Sequence, residues 1–170
     1  MSLELLIDGY NLIRQSPYLS QFEAVALERG REALLDRLAA YKKVRGHRIT
    51  VVFDGWGSPH LASKDISQRG MKVIFTKRGE TADEWIKRKL GELRQAAVVT
   101  SDREIRSYAE RLGVPSISSS DFEKKMEEAL YFGLKGLEPD EEESTGYVKK
   151  GPARRLSKKE RKKKSIWEKL

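Results

Sequence analysis

Three short apolar runs that each end in an aspartate constrain the fold of this chain more than any other feature. The runs are LELLID at 3–8, ITVVFD at 49–54 and AVVTSD at 97–102. A short and nearly continuous apolar run is typical of a parallel strand that is buried on both faces. Parallel strands end at one edge of the sheet, and ligands of open α/β sheets bind at that edge. We therefore expect Asp8, Asp54 and Asp102 at the same edge.

The remaining pattern predicts a strand followed by a helix, repeated five times. Residues 72–76 and 114–118 supply two more strands, and residues 14–20 and 55–70 are predicted as loops. Helix starts are indicated by Ser/Thr-x-x-Glu capping boxes. The four candidates are Ser20 with Glu23, Thr81 with Glu84, Ser101 with Glu104, and Ser120 with Glu123. This alternation predicts an α/β fold in which a mostly parallel sheet of about five strands lies between two helical layers.

Charge is distributed unevenly and suggests two regions. The chain of 170 residues has a formal charge of +8, but residues 138–143 contain five acids and residues 144–170 eleven cations against two acids. We expect a domain over 1–137 and an acidic-then-basic C-terminal extension over 138–170. The basic end is predicted to be too polar to bury a core, although its last residues carry a small apolar segment. That segment contains Ile166, Trp167 and Leu170.

Composition narrows the classes of partner. The chain has no cysteine, so disulfide frameworks and cysteine zinc sites are excluded. No cationic leader is visible and no apolar run approaches the roughly 20 residues of a membrane span. A cytoplasmic location without membrane contact is therefore expected. A basic chain of this size favours nucleic acid as the partner, and cations of the C-terminal extension would release counterions on binding phosphates.

A fourth acid joins the three strand-terminal aspartates. Asp83 follows Thr81 in the first turn of a predicted helix, which enters from the same edge of the sheet. Each acid alone has a structural alternative as a turn or cap residue, since the first turn of a helix favours carboxylates. Together, Asp8, Asp54, Asp83 and Asp102 predict a cluster that suits Mg²⁺ or Mn²⁺. On a basic protein, such a site suits phosphodiester hydrolysis.

Several motifs carry a resemblance to a known family. LLIDGYNLI, VVFDG, IFT followed by ETADEWI, and VVTSD occur in the order found in NYN domains of the PIN-like nuclease superfamily, especially those of the bacterial YacP-like group. The resemblance covers about residues 3–132. It implies a PIN-like fold and metal-dependent ribonuclease activity, with messenger RNA at the ribosome as the substrate of some members.

The resemblance also implies roles for individual residues. Asp8 and Asp83 would be the leading metal ligands, and Asp102 would complete the acidic cluster. Asn11 would hydrogen-bond the substrate or a bound water. Asp54 matches the family pattern less firmly and could support the cluster from outside.

Other residues are candidate substrate contacts. Lys77 and Arg78 precede Asp83 in a short loop and would either hold the RNA backbone or simply be solvated. Ser101 adjoins Asp102 and is also a candidate substrate contact. Trp56, in the long loop, is a candidate for stacking on a base. Tyr10 could also stack, but packing beneath the turn is favoured for it.

Two other classes of function remain open. A non-catalytic RNA- or ribosome-binding module would bind through the basic extension and cleave nothing, but it would have no use for clustered carboxylates near phosphates. A haloacid dehalogenase-type phosphatase also begins with an aspartate after its first strand. That chemistry needs a second aspartate two residues later, where this chain has Tyr10.

Overall fold

The computed structural model describes residues 2–55, 64–93, 95–136 and 157–170. These ranges contain six strands and seven helices. They do not follow the predicted fivefold repeat of strand and helix, because three helices come after the first strand and three strands come in succession after those helices. In chain order they are β1 (Glu4–Asp8), α1 (Gly9–Gln15), α2 (Pro17–Val25), α3 (Leu27–Arg45), β2 (Arg48–Phe53), β3 (Lys64–Gln68), β4 (Met71–Phe75), α4 (Ala82–Leu90), β5 (Ala96–Val99), α5 (Arg103–Arg111), β6 (Ser116–Ile117), α6 (Ser119–Lys135) and α7 (Lys158–Lys169).

The strands form one sheet in the order β3-β4-β2-β1-β5-β6. β1 pairs in parallel with β2 on one side and β5 on the other, so that Leu6 lies beside Thr50 and Val98. The predicted α/β fold with a mostly parallel sheet is confirmed. The structure adds a sixth strand, β3, which lies within residues 55–70, the stretch predicted as a loop. This strand pairs antiparallel with β4. Its sequence, KDISQ, is mostly polar because it is a partly exposed edge strand.

Helices cover both faces of the sheet and give the molecule three layers. Alternate residues of β1 point to opposite faces, so Leu5 and Ile7 join a larger core while Leu6 joins a smaller one. The larger core is completed by α1, α2, α3, α6 and α7, and the smaller by α4 and α5. Burial on both faces explains why the strands read as continuous apolar runs.

Helix α2 begins earlier than predicted. Pro17 occupies its first position, and Ser16 is the N-cap whose side chain accepts a hydrogen bond from the Leu19 N–H at 3.0 Å. Ser20, the predicted cap, lies inside the helix, so residues 14–20 are not a loop. A proline at the first helical position supplies a suitable φ and has no N–H to lose. The capping box of Thr81 and Glu84 at α4 is confirmed.

Two other predicted caps are also displaced by one or two residues. α5 is capped by Asp102 rather than by Ser101, and α6 by Ser118 rather than by Ser120. The Ser-x-x-Glu spacing occurs in both segments, but a nearby Asp or Ser side chain reaches the free N–H groups instead.

The C-terminal helix packs on the domain, in contrast to the expectation that the basic end buries no core. Ile166 and Leu170 of this segment are 6% and 1% exposed and belong to the larger core. The Tyr41 hydroxyl donates to the Leu170 carbonyl at 3.2 Å, and His47 Nε2 lies 3.0 Å from the Lys169 carbonyl. The predicted boundary near residue 137 and the acidic block lie outside the described residues.

None of the helices in the described ranges combines the length and the apolar character needed to cross a bilayer.

Candidate active site

The strand order creates a crevice beside the end of β1. From β1 the chain continues to β2 and β4 on one side of the sheet, and later to β5 and β6 on the other. Ligands of open α/β sheets bind outside the carboxyl ends of the strands where the order reverses in this way. Asp8 ends β1, and Asp102 lies three residues beyond the end of β5. Two of the predicted acids therefore flank this crevice.

Asp8 is held at the junction of β1 and α1. Its carboxylate accepts from the Asn11 N–H at 3.4 Å and from the Thr100 hydroxyl at 3.3 Å, and it caps α1. The helix starts directly at Gly9, where an added Cβ would lie 2.3 Å from the Phe53 ring. The Asp-Gly pair thus joins a strand to a helix, because only glycine leaves room for Phe53.

Burial changes the ionisation of Asp8. The side chain is 7% exposed, and desolvation is the main reason why its pKa is raised from 3.8 to about 6. Hydrogen bonds from Asn11 and Thr100 oppose this shift, whereas the negative charges of Asp83 and Asp102 add to it. At neutral pH, Asp8 is therefore a buried anion with two acidic neighbours.

Asp83 lies in the first turn of α4 and extends the acidic cluster. Burial is the main reason why the pKa of Asp83 is raised. The carboxylates of Asp102, Glu104 and Asp54 raise it further, while Lys87 lowers it. The four predicted aspartates therefore lie at one edge, where the charges of neighbouring acids raise the pKa values of Asp8 and Asp83. Glu104 and Lys87, which pair at 3.0 Å, were not predicted as part of the site. Lys87 lies one helical turn after Asp83, a spacing that places both side chains on one face of α4.

Asp102 has a structural role in addition to its place in the cluster. Its Oδ1 accepts from the backbone N–H groups of Glu104 and Ile105 at 2.8 and 3.0 Å, which caps α5. Its own N–H donates to the Thr100 hydroxyl at 3.1 Å, and Thr100 in turn donates to Asp8. The two acids are thus connected through one threonine.

Asp54 follows β2 and is partly buried. Its neighbour Gly55 donates its N–H to the Thr76 hydroxyl at 2.9 Å, and an added Cβ at Gly55 would lie 1.8 Å from the Thr76 carbonyl oxygen. This close approach of two strand ends holds Asp54 at the same edge as Asp83.

Asn11 connects three elements around the crevice. Its Oδ1 accepts from the Ser101 N–H at 2.8 Å and from the Ser119 hydroxyl at 2.7 Å. The Ser101 hydroxyl accepts from the Ser119 N–H at 3.1 Å. The Asn11 oxygen is therefore occupied within the protein, and a contact with substrate or water would use Nδ2. Ser101 is likewise bonded within this network.

Lys77 and Arg78, the predicted substrate contacts, are exposed in the loop between β4 and α4. Gly79 in this loop has a φ of 82°, a conformation that favours glycine. The loop follows the carboxyl end of β4 and so lies at the same edge as the acids. Trp56, the predicted stacking residue, is outside the described residues.

Tyr10 packs beneath the site, as predicted. It is 9% exposed, and its ring meets Phe53 edge-on at a centroid distance of 5.1 Å. Its hydroxyl accepts from Arg31 Nη1 at 2.8 Å. Tyr10 therefore supports the start of α1.

The chemistry of the acids suits a hard divalent cation, although their side chains are not arranged tightly around a common point. Within the described ranges, no three Asp, Glu or His side chains converge tightly enough to hold an ion in this conformation. The donor set nevertheless consists of carboxylate oxygens, the ligands that Mg²⁺ and Mn²⁺ prefer. A cation among them would offset the burial and repulsion that raise the pKa values of Asp8 and Asp83.

Comparison with known proteins places this architecture in a family. The model of the YacP-like NYN domain matches residues 5–169. The uncharacterized protein YacP of Bacillus subtilis strain 168 is 40% identical over 102 residues, which span 58% of this chain and 59% of that protein. The chain thus spans less than two thirds of that relative's length.

Solved structures agree with this match. The crystal structure of Rae1 (YacP) from Bacillus subtilis superposes with a TM-score of 0.66 at 32% identity, covering 80% of this chain and 79% of that one. A mutant of the same protein, with leucine in place of one tryptophan, gives the same TM-score at 30% identity, covering 79% of this chain and 80% of that one. The PIN-like fold and the family resemblance drawn from the motifs are confirmed. The chain belongs to the YacP-like NYN domain family, a PIN-like nuclease group.

Proposed function

We propose that this protein is a divalent-metal-dependent endoribonuclease that hydrolyses RNA phosphodiester bonds in the cytoplasm. One observation carries the proposal: Asp8, at 7% exposure, is a buried acid beside Asp83 and Asp102. Unneutralised clustered acids weaken a fold and repel phosphate, so a binding surface alone gives no reason for them. A nuclease needs such acids to hold a cation.

Each residue has a defined part in this proposal. Asp8, Asp83 and Asp102 would hold Mg²⁺ or Mn²⁺, and Asp54 would support Asp83 from the neighbouring strand end. A bound ion would supply a polarised water and neutralise charge on the phosphate. Asn11 and Ser101 keep α1, α5 and α6 in register around the acids, and Asn11 Nδ2 would contact substrate or water.

RNA contacts at the rim of the crevice complete the proposal. Lys77 and Arg78 would hold the sugar-phosphate backbone as it enters, because both are exposed in a loop at the same edge of the sheet as the acids. Trp56 remains a candidate for stacking on a base. By family resemblance, the substrate is expected to extend to messenger RNA at the ribosome.

Two substitutions test the proposal. Asp8→Asn and Asp83→Asn should each reduce Mn²⁺- or Mg²⁺-dependent cleavage of an RNA oligomer to the level of buffer, because each removes a negative ligand. Asp65→Asn is the matched control, since Asp65 is an exposed acid on β3 that pairs with Lys72. Cleavage is measured with and without EDTA, and folding by circular dichroism.

Full activity in both site variants would contradict the proposal. If wild-type protein binds RNA and cleaves none with any divalent ion, the alternative is favoured: a non-catalytic RNA- or ribosome-binding module that retains the fold.

A further inference from the structure

We propose that α5 and α7 together form a phosphate-binding groove that receives the RNA strand beyond the candidate active site. The inference rests on the proposed function in taking RNA as the substrate. We call this surface the α5–α7 groove. The groove has a volume of about 300 Å³, and its charged lining consists of five cations and one acid. These charged residues are Arg103, Arg106, Lys159, Lys162, Lys163 and Glu110.

The α5–α7 groove begins next to the acidic cluster. Arg103 directly follows Asp102, and Arg106, Ser107 and Glu110 continue from it along one face of α5. Seven residues of helix extend about 10 Å. The α5 face therefore leads away from the acids and towards the N-terminal half of α7.

Docking of α7 determines where its lysines lie. The helix is anchored at its far end by buried Ile166 and Leu170, so its N-terminal turns are held beside α5. There, Lys162 donates to the Gly113 carbonyl at 2.9 Å, and Lys159 pairs with Glu110 at 2.5 Å. Cations held in place before binding lose less conformational entropy when a ligand arrives.

Charge and shape together identify a phosphate backbone as the occupant. The groove combines guanidinium and ammonium groups with polar Ser107 and Ser116, which are typical phosphate contacts. Ile166 of α7 and Leu170, which directly follows the helix, face the core, so they are not presented to a membrane surface. A polyanionic strand that already lies at Asp102 would meet Arg103 next.

A charge-matched pair of variants tests the α5–α7 groove. The groove variant changes Lys159, Lys162 and Lys163 to Ala. The control changes Lys158, Arg161 and Lys164 of the same helix to Ala, and these three residues do not line the groove.

Binding of a single-stranded RNA oligomer is measured by fluorescence anisotropy in EDTA over a range of salt concentrations. The groove variant should bind more weakly and lose about 2 units of the slope of log K against log salt, because three phosphate contacts are removed. The control should keep the wild-type slope.

A second variant keeps every cation and removes only the docking. Ile166→Ser combined with Leu170→Ser should release α7 and reproduce the weaker binding and smaller slope of the groove variant. If this variant fails to fold, as judged by circular dichroism, Arg106→Ala on α5 replaces it, with exposed Arg29→Ala on α3 as control. Arg106→Ala should weaken binding, and Arg29→Ala should not.

The outcomes separate this inference from the proposed function. Equal weakening by the groove variant and its control would overturn the groove, even in a protein that cleaves RNA. Selective weakening by the groove variant would support the groove, even if no divalent ion allowed cleavage.

Discussion

Asp8 shows how a single residue in this protein combines a structural cost with a chemical role. It caps α1, accepts from Thr100 and lies almost fully buried beside Asp83 and Asp102. Hydrogen bonds compensate only part of the cost of burial, so its pKa remains raised to about 6. Groups with strongly shifted pKa values in a crevice are candidates for function.

The ionisation of Asp8 predicts a pH-dependent stability in metal-free protein. Its folded pKa of about 6 lies above its ordinary value of 3.8, so the unfolded state loses its proton first as pH rises. The free energy of unfolding should therefore decrease as pH rises from 3.8 to about 6, and the loss should reach up to about 3 kcal/mol at neutral pH. Asp8→Asn should restore part of the lost free energy of unfolding at pH 7 in EDTA and little at pH 4, as measured by urea unfolding. An equal effect at both pH values would contradict the assignment.

Asn11 should be sensitive to truncation for a different reason. Asn11→Ala would leave the Ser101 N–H without its acceptor and would uncouple α1 from α6. We expect a loss of about 1–3 kcal/mol in the free energy of unfolding, together with reduced cleavage. Ser119→Ala removes only the second donor and should cost less. A variant Asn11→Ala as stable as the wild type would show that this network is not needed.

At the scale of elements, close junctions between strand ends and loops position the acids. Gly9 admits the Phe53 ring beneath α1, and Gly55 admits the Thr76 carbonyl beneath the end of β2. Each glycine adjoins an aspartate of the cluster. The Asp-Gly pairs therefore reflect the tight packing of the carboxylate-bearing edge.

Adding one methyl group at such a junction should destabilise the protein. Gly55→Ala would place Cβ 1.8 Å from the Thr76 carbonyl oxygen, so the backbone must shift. We expect a loss of about 1–3 kcal/mol or more in thermal or urea unfolding. Gly91→Ala is the control, because its Cβ would meet the Arg88 carbonyl oxygen at 3.6 Å and its φ of −67° suits alanine. Similar stabilities for the two variants would contradict the close packing.

At the scale of the whole molecule, the C-terminal helix completes the domain. His47 connects it to the start of β1: Nδ1 accepts from the Leu3 N–H at 3.4 Å, so Nε2 carries the proton and donates to the Lys169 carbonyl. Burial lowers the pKa of His47, and the nearby cations Arg45 and Lys169 lower it further, which together outweigh the opposing effect of the hydrogen bond to the Lys169 carbonyl. Protonation of Nδ1 would place a second N–H opposite the Leu3 N–H, so that two donors would face each other and their hydrogen bond would be lost.

Docking of α7 should therefore weaken in acid. Because the folded pKa of His47 lies below its ordinary 6.5, its contribution is complete above pH 6.5 and is lost as pH falls through the folded value. Hydrogen exchange of the α7 amides, corrected for intrinsic rates, should show reduced protection at low pH. His47→Gln keeps one donor and one acceptor without titrating, so its protection should vary less. Equal pH dependence in both proteins would contradict this role.

Much of the candidate site could be predicted because its signals are local. The apolar runs, their terminal aspartates and the Thr81 cap depend on neighbours within a few residues. They were sufficient to predict the three-layer fold and the family, and to predict that Asp8, Asp54, Asp83 and Asp102 share an edge. Their roles in catalysis and metal binding, and the domain boundary near 137, stay predictions.

The sequence by itself determined which segments form the buried strands and that an aspartate ends or follows three of them, because burial on both faces requires a continuous apolar run. It did not determine the strand bounds, since β5 ends at Val99 rather than at Asp102. Only the tertiary structure decided that β1 lies between β2 and β5, that polar β3 joins the sheet, and that α7 docks through Ile166 and Leu170. It also added Glu104 and Lys87 to the acidic cluster. These features depend on pairing and packing between residues far apart in the chain, which a local pattern does not encode.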